Sequence, residues 1–140
     1  MKKILLISDT HGYIDDVILK YAKKADLVIH AGDIGDINVI DSLSKVSNLR
    51  AVYGNIDSAE IRSITNENEL LNIEGFKILT THIAGKQPNY NSRVKKIINK
   101  EYPDILISGH SHILKVENDK INNILCINPG AAGKHGFHKK

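Results

Sequence analysis

The chain has 140 residues, 41% of them hydrophobic and 25% charged, with a net charge of +3. That balance excludes a disordered chain, and no apolar stretch approaches the ~18–20 residues of a membrane-spanning helix. A single cysteine, Cys126, excludes an internal disulfide, and the apolar run after Lys2-Lys3 is too short for a signal-peptide core, so the sequence predicts a protein of the reducing cytoplasm.

Lys3-Ile4-Leu5-Leu6-Ile7 is a short apolar run, the pattern of a strand buried on both faces. Asp9 and His11 follow it. In extended backbone, residues two apart project to the same side, which would aim carboxylate and imidazole together. Past Gly12, residues Ile14, Val17, Ile18, Tyr21, Ala22 and Ala25 mark one face of a helix. A second strand over 26–29 ends in His30-Ala31-Gly32-Asp33, and a second helix spans 36–46. A third strand over 49–52 ends in Tyr53-Gly54-Asn55-Ile56-Asp57. Residues 58–68 are polar and receive no element.

Strands over 70–73 and 76–81 flank Glu74-Gly75 as a β-hairpin, and the second ends in Thr81-His82. The 83–89 loop holds Gly85 and Pro88. A third helix then carries Tyr90, Val94, Ile97 and Ile98 on one face and stops at Pro103. Residues 104–107 form another buried strand before Ser108-Gly109-His110-Ser111-His112. A final hairpin pairs 113–117 with 121–127 around Asn118-Asp119-Lys120, with Cys126 a buried strand thiol, and Asn128-Pro129-Gly130 follows. Alternating strands and helices predict an α/β fold with right-handed parallel crossovers. No repeat or linker divides the chain, so one domain over 1–140 is expected.

Asp9, His11, Asp33, Asn55, His82, His110 and His112 each follow an apolar strand by a few residues. Ligands of open α/β sheets bind outside the carboxyl ends of the strands. A lone Asp there is ordinarily a helix cap, and a lone histidine an ordinary surface or hydrogen-bonded residue; we keep that reading for His30, Asp36, His135 and His138. Seven donors on one rim exceed what one ion needs and suit two ions sharing a carboxylate. Asp33 is the natural bridge, because Gly32 lets the backbone turn closely around the site. A nitrogen and oxygen set with no thiolate suits Mn²⁺ first, with Fe, Ni²⁺ or Zn²⁺ as alternatives. Two such ions can activate a water for hydrolysis without a protein nucleophile, and the sequence holds no convincing Ser/His/Asp set and no Walker-type loop.

Asp9-Thr10-His11, Gly32-Asp33, Gly54-Asn55-Ile56-Asp57, Thr81-His82 and Gly109-His110-Ser111-His112 together resemble the five ordered blocks of the calcineurin-like metallophosphoesterases. Asn128-Pro129-Gly130 resembles the closing motif of that family's small single-domain phosphodiesterase branch. The resemblance implies a two-sheet β-sandwich flanked by helices, with a dinuclear centre at the sheet edge. It implies one ion held by Asp9, His11, Asp33 and His112, and another by Asp33, Asn55, His82 and His110. A hydroxide between the ions, set by Asp33, Asn55 and His82, would attack phosphorus of a small phosphate ester in line with the leaving oxygen.

The sequence departs from that pattern in three places. Ile56 stands where many relatives have a histidine able to protonate the leaving group, so aryl esters or diesters are the expected substrates. Asp57 is either a carboxylate that orients a neighbouring ligand or a simple turn residue. The fourth block reads His82-Ile83-Ala84-Gly85 rather than His-Gly, which reshapes the loop governing substrate access. Relatives usually continue past Asn-Pro-Gly into further strands, whereas here ten residues follow. A missing sheet-edge strand is therefore expected, with self-association through the open edge. Two other readings stand beside the hydrolase. One is a metal-binding protein-interaction scaffold, as a retromer-associated family member is thought to be. The other is a nucleic-acid-binding or nuclease role, disfavoured because the lysines are scattered apart from the 134–140 tail.

Overall fold

A computed structural model describes residues 2–132. Three strands, β1 (Ile4–Ile7), β2 (Leu27–His30) and β3 (Leu49–Ala51), form one parallel sheet in that order. The crossovers between them are α1 (Asp16–Lys24) and α2 (Ile37–Val46). Each helix starts where a carboxylate satisfies a free backbone N–H. The Asp15 side chain accepts from the Ile18 N–H at 2.8 Å, and that of Asp36 from the Asn38 N–H at 2.8 Å. Asp36 is thus a cap, as its sequence context suggested.

Next come α3 (Ala59–Ile64), β4 (Asn68–Ile73), β5 (Phe76–Thr81), the two-residue strands β6 (Gly85–Lys86) and β7 (Asn89–Tyr90), and α4 (Ser92–Glu101). The chain closes with β8 (Ile105–Ile107), β9 (Leu114–Asp119) and β10 (Ile124–Pro129). A second, mixed sheet runs β4–β5–β8–β10–β9, with β8 parallel to both β5 and β10.

Alternation along the strands sorts the core into three layers. Leu5, Ile7 and Val28 pack with Ala22, Val39 and Leu43 of the first two helices. Leu79, Leu106 and Ile124 pack with Val94 and Ile98 of α4. The opposite faces meet between the sheets, where Ile29, Ala31, Ile78 and Ile107 are buried with Ile4, Leu6 and Ile105 against them. The result is a two-sheet sandwich flanked by helices, as expected. Burying Val39 or Leu43 contributes ~1.5–3 kcal/mol each, and that burial fixes the helix faces.

Several local expectations are corrected. β1 is only half-buried over Ile4–Leu6, because it lies at the edge of its sheet with β2 as its one partner. The polar 58–68 stretch holds α3, capped by the Ser58 hydroxyl, with only Ile61 buried; so short an apolar signal is invisible to periodicity. Tyr90 sits in β7 ahead of the helix that Asn91 caps, yet its ring joins the same core. The last hairpin turns after Asp119 rather than around it, because that carboxylate accepts from the Ile121 and Asn122 N–H groups at 3.0 and 3.1 Å. Cys126 lies on β10 but is half-buried, 3.2 Å from the Tyr90 hydroxyl. Among the described residues no helix is long and apolar enough to cross a membrane. His135, His138 and the basic 134–140 tail lie outside them.

Candidate metal centre

All seven sequence-predicted ligands reach one rim. Asp9 and His11 follow β1, Asp33 follows β2, Asn55 follows β3, His82 follows β5, and His110 and His112 follow β8. Convergence does not arise as extended backbone predicted. Asp9, His11, Asp33, His110 and His112 have φ of 54°, 49°, 55°, 73° and 64°, all left-handed. Non-glycine residues adopt that region at a cost, and such strain collects at functional sites. Each left-handed turn swings a side chain back over the sheet edge.

Hydrogen bonds hold the turns in place. The Asp9 N–H donates to the Gly32 carbonyl at 2.9 Å and the His11 N–H to the Asp33 carbonyl at 3.0 Å. The Gly109 N–H donates to the His82 carbonyl at 3.0 Å, joining the loops after β5 and β8. Between the two sheets, the seven donor groups fall into two sets.

In the first set, His112 Nε2 lies 3.2 Å and His11 Nε2 4.0 Å from Asp9 Oδ1, with His11 Nε2 3.6 Å from Asp33 Oδ2. In the second, His82 Nε2 lies 3.2 Å from the same Asp33 Oδ2 and 3.1 Å from Asn55 Oδ1, which is 3.1 Å from His110 Nδ1. Ligand atoms at ~2.0–2.2 Å around one ion lie about 3–4 Å from each other, and these spacings match. Asp9, His11, Asp33 and His112 form one group of mutually close donors, and Asp33, His82 and His110 another. Asp33 belongs to both.

The donor set fits a divalent cation on chemical grounds. Asp9 Oδ1 is buried without a hydrogen-bond donor, although Oδ2 of the same carboxylate accepts from the Ser8 hydroxyl and the His110 N–H. An orphaned buried carboxylate oxygen is costly unless a cation faces it. His82 Nδ1 stands 2.7 Å from the Ala31 carbonyl, an acceptor only, so Nδ1 carries the proton. With an ion bound, a neutral His82 would present its Nε2 lone pair on the side of Asp33 and Asn55, as a metal-ligating imidazole does. Without one, burial opposes protonation of His82, but its hydrogen bonds and charge contacts with Asp33, the Ala31 carbonyl and Asp9 push its pKa above the usual value. Without an ion, burial pushes the Asp9 carboxyl above its usual range, against the Ser8 hydroxyl and the nearby imidazoles. Asp33 is also opposed by burial, but its hydrogen bond and charge contact with His82 hold it below that range.

Asp57 does not touch a ligand side chain. Its buried carboxylate accepts from the Ile34 N–H at 3.1 Å, the Gly35 N–H at 2.8 Å and the Gly54 N–H at 2.7 Å. It therefore ties the loop bearing Asp33 to the loop bearing Asn55. Arg62 on α3 adds to this clasp, donating to the Asp57 carbonyl at 2.9 Å and stacking over the Tyr53 ring at 4.8 Å. Sequence reasoning missed Arg62 because it assigned no helix there.

Ser8, Gly54 and Gly109 were also given no role of their own. A Cβ on Gly54 would lie 2.1 Å from Asp33 Oδ1, and one on Gly109 would lie 2.0 Å from Ser8 Oγ and 2.8 Å from Asp9 Oδ2. Both glycines are backbone pressed against a ligand. The signal was present, since Gly32, Gly54 and Gly109 each directly precede a donor. Asn128 braces the last loop, its amide donating to the Gly109 carbonyl at 3.1 Å and Ser111 Oγ at 3.0 Å. His30 is a buried structural residue, as expected. Nδ1 accepts from the Gly32 N–H at 3.1 Å, and Nε2 lies 3.0 Å from the Thr10 hydroxyl.

Known proteins carry the same pattern. A family model described as a calcineurin-like phosphoesterase superfamily domain matches residues 1–140. A probable metallophosphoesterase of Methanocaldococcus jannaschii is 33% identical over 132 residues, covering 90% of this chain and 66% of that protein's length. The chain thus spans about two thirds of that relative. A structure described as a novel archaeal phosphodiesterase is 27% identical with a TM-score of 0.70, covering 95% of this chain and 86% of that one. A Vps29 from Entamoeba histolytica, solved in complex with Zn²⁺, is 25% identical with a TM-score of 0.74, covering 95% and 77%. With the fold, the ordered donors and the whole-length family match in agreement, the chain belongs to the calcineurin-like phosphoesterase superfamily.

Proposed function

We propose that this protein is a metal-dependent phosphodiesterase whose centre holds two divalent ions, Mn²⁺ first among them. Asp9, His11, Asp33 and His112 would hold one ion, and Asp33, Asn55, His82 and His110 the other. The observation that carries this reading is Asp33 Oδ2, placed 3.6 Å from His11 Nε2 and 3.2 Å from His82 Nε2. When bound, such a pair of ions acidifies a water to serve as nucleophile and stabilises charge on the phosphoryl oxygens.

The chain's own residues do the rest. Asp33 Oδ1 accepts from the Ile56 N–H at 3.2 Å, which fixes the carboxylate and leaves Oδ2 for the centre. The Ser8 hydroxyl and the His110 N–H fix Asp9 in the same way. The Ala31 carbonyl sets the His82 tautomer. Ile56 is half-exposed and offers no proton to a departing oxygen. Rates across aryl diesters should therefore rise steeply as the leaving-group pKa falls, and a flat dependence contradicts this.

The test is hydrolysis of bis-p-nitrophenyl phosphate by metal-stripped protein titrated with Mn²⁺, beside Asp33→Asn. Activity that appears with Mn²⁺ and is lost in the variant supports the hydrolase. A second reading, a metal-binding interaction scaffold, is favoured by the exposed apolar side chains of the last hairpin, Leu114, Val116 and Ile121. Binding of Mn²⁺ without hydrolysis would support that reading.

A further inference from the structure

Among the described residues, two cavities of differing chemistry meet the candidate centre. The smaller, about 180 Å³, touches Asn55 and His82 and has Arg62 and Arg93 in its wall. Those guanidinium groups are committed elsewhere. Arg62 donates to the carbonyls of Asp57, Gly54 and Asn55, and Arg93 to Asn68, Thr81 and the Ile83 carbonyl. The larger cavity, about 290 Å³, begins at His110 and is bounded by the 83–87 loop, β8 and the β9–β10 hairpin.

The walls of the larger cavity are mainly apolar: Ala84, Tyr90, Leu106, Cys126 and Ile127. The Tyr90 hydroxyl is bonded to Asp119 at 2.6 Å, which turns the ring into a wall rather than a donor to the cavity. Ser108 lines it two residues from His110, and among the described residues its hydroxyl makes no hydrogen bond. At the outer end Glu117 is held by Gln87 and by Lys115, whose Nζ lies 3.2 Å away. Ile83 and Ala84, where the sequence departs from the usual His-Gly of the fourth block, both line this cavity. An apolar cavity of about 150 Å³ already holds a benzene ring, so this volume admits a ring with its linker.

We infer that the cavity beside His110 receives one ester arm of the substrate, and that this arm is a planar aryl or heteroaryl group rather than a short alkyl chain. A phosphate seated on the centre would lie beside the cavity mouth, with the ring against Tyr90, Leu106 and Ile127. The Ser108 hydroxyl is placed to give or accept one hydrogen bond at a polar ring atom. The inference rests on the diesterase reading and names the substrate class for that site.

Cys126, the chain's single cysteine, gives a readout independent of turnover. Alkylation of the Mn²⁺-loaded protein by iodoacetamide is followed with phenylphosphonate or methylphosphonate present. Phenylphosphonate should slow alkylation at Cys126, and methylphosphonate should leave the rate unchanged; equal effects of the two overturn the inference. In parallel, Cys126→Phe fills the cavity from β10, and Leu125→Phe, which is not in its lining, is the control. Loss of an aryl site should raise KM for bis-p-nitrophenyl phosphate about tenfold in Cys126→Phe, the factor matching a modest apolar contact, with no change in Leu125→Phe. An unchanged KM in Cys126→Phe overturns the inference. If no diester is hydrolysed at all, the diesterase reading fails, while the alkylation result still decides what the cavity binds.

Discussion

Asp57→Ala removes the acceptor shared by three backbone N–H groups, those of Ile34, Gly35 and Gly54. Orphaning a buried donor costs ~1–3 kcal/mol, so the buried Ile34 and Gly54 N–H groups would cost up to about 6, the part-buried Gly35 N–H adds less, and water entering the vacated space recovers part of the total. The net expectation is a loss of about 3–5 kcal/mol, or roughly 10–15 °C in Tm for a domain of this length. Asp57→Asn keeps the shape but must turn its amide N–H₂ towards at least one of those donors, which costs ~1–3 kcal/mol. Urea denaturation in metal-free buffer measures both without stabilisation from a bound ion. Mn²⁺ affinity should fall ~10–100-fold in Asp57→Ala, because the loops bearing Asp33 and Asn55 lose their common anchor. The reasoning is refuted if Asp57→Ala stays within about 1 kcal/mol of the parent, or if it loses stability with metal affinity unchanged.

Two other expectations follow from the same geometry. In Gly54→Ala the new methyl would overlap Asp33 Oδ1, so Mn²⁺ binding should drop sharply while the helices keep their circular dichroism; unaltered affinity would show that the loop gives way freely. Burial holds the His30 imidazole neutral, its pKa pushed down to about 3 from 6.5. The unfolded chain therefore binds the extra proton first, and stability falls as pH drops from 6.5 towards 3, by up to ~1.4 kcal/mol per pH unit. Urea midpoints of the metal-free protein should show that slope and lose most of it in His30→Gln; an unaltered slope assigns it to other groups.

Much of this was legible in the residues, because the strands are short apolar runs and each ligand follows one by a few residues. The seven donors Asp9, His11, Asp33, Asn55, His82, His110 and His112 could be picked out without coordinates, whereas their division into two sets was what the family resemblance implied. The manner of convergence could not. An extended β1 continuing through Asp9 and His11 was the simplest reading, whereas left-handed turns at five donors do the aiming. Those turns are stabilised by pairings distant in sequence, such as Asp9 with Gly32 and Gly109 with His82, and no local propensity encodes them. Asp57 was ambiguous for a related reason: a carboxylate after Asn-Ile reads as a turn residue until its partners 22 and 23 positions away are known. The short α3 and the cavity beside His110 depend on tertiary packing throughout.

The most direct test of the central claim is the number of Mn²⁺ ions bound per chain, measured by isothermal titration on metal-stripped protein and on Asp33→Asn. A shared Asp33 predicts two ions in the parent and weakened binding of both in the variant, since one carboxylate serves both sets. A single ion in the parent, or two ions bound with unaltered affinity in Asp33→Asn, would contradict a dinuclear centre bridged by that residue.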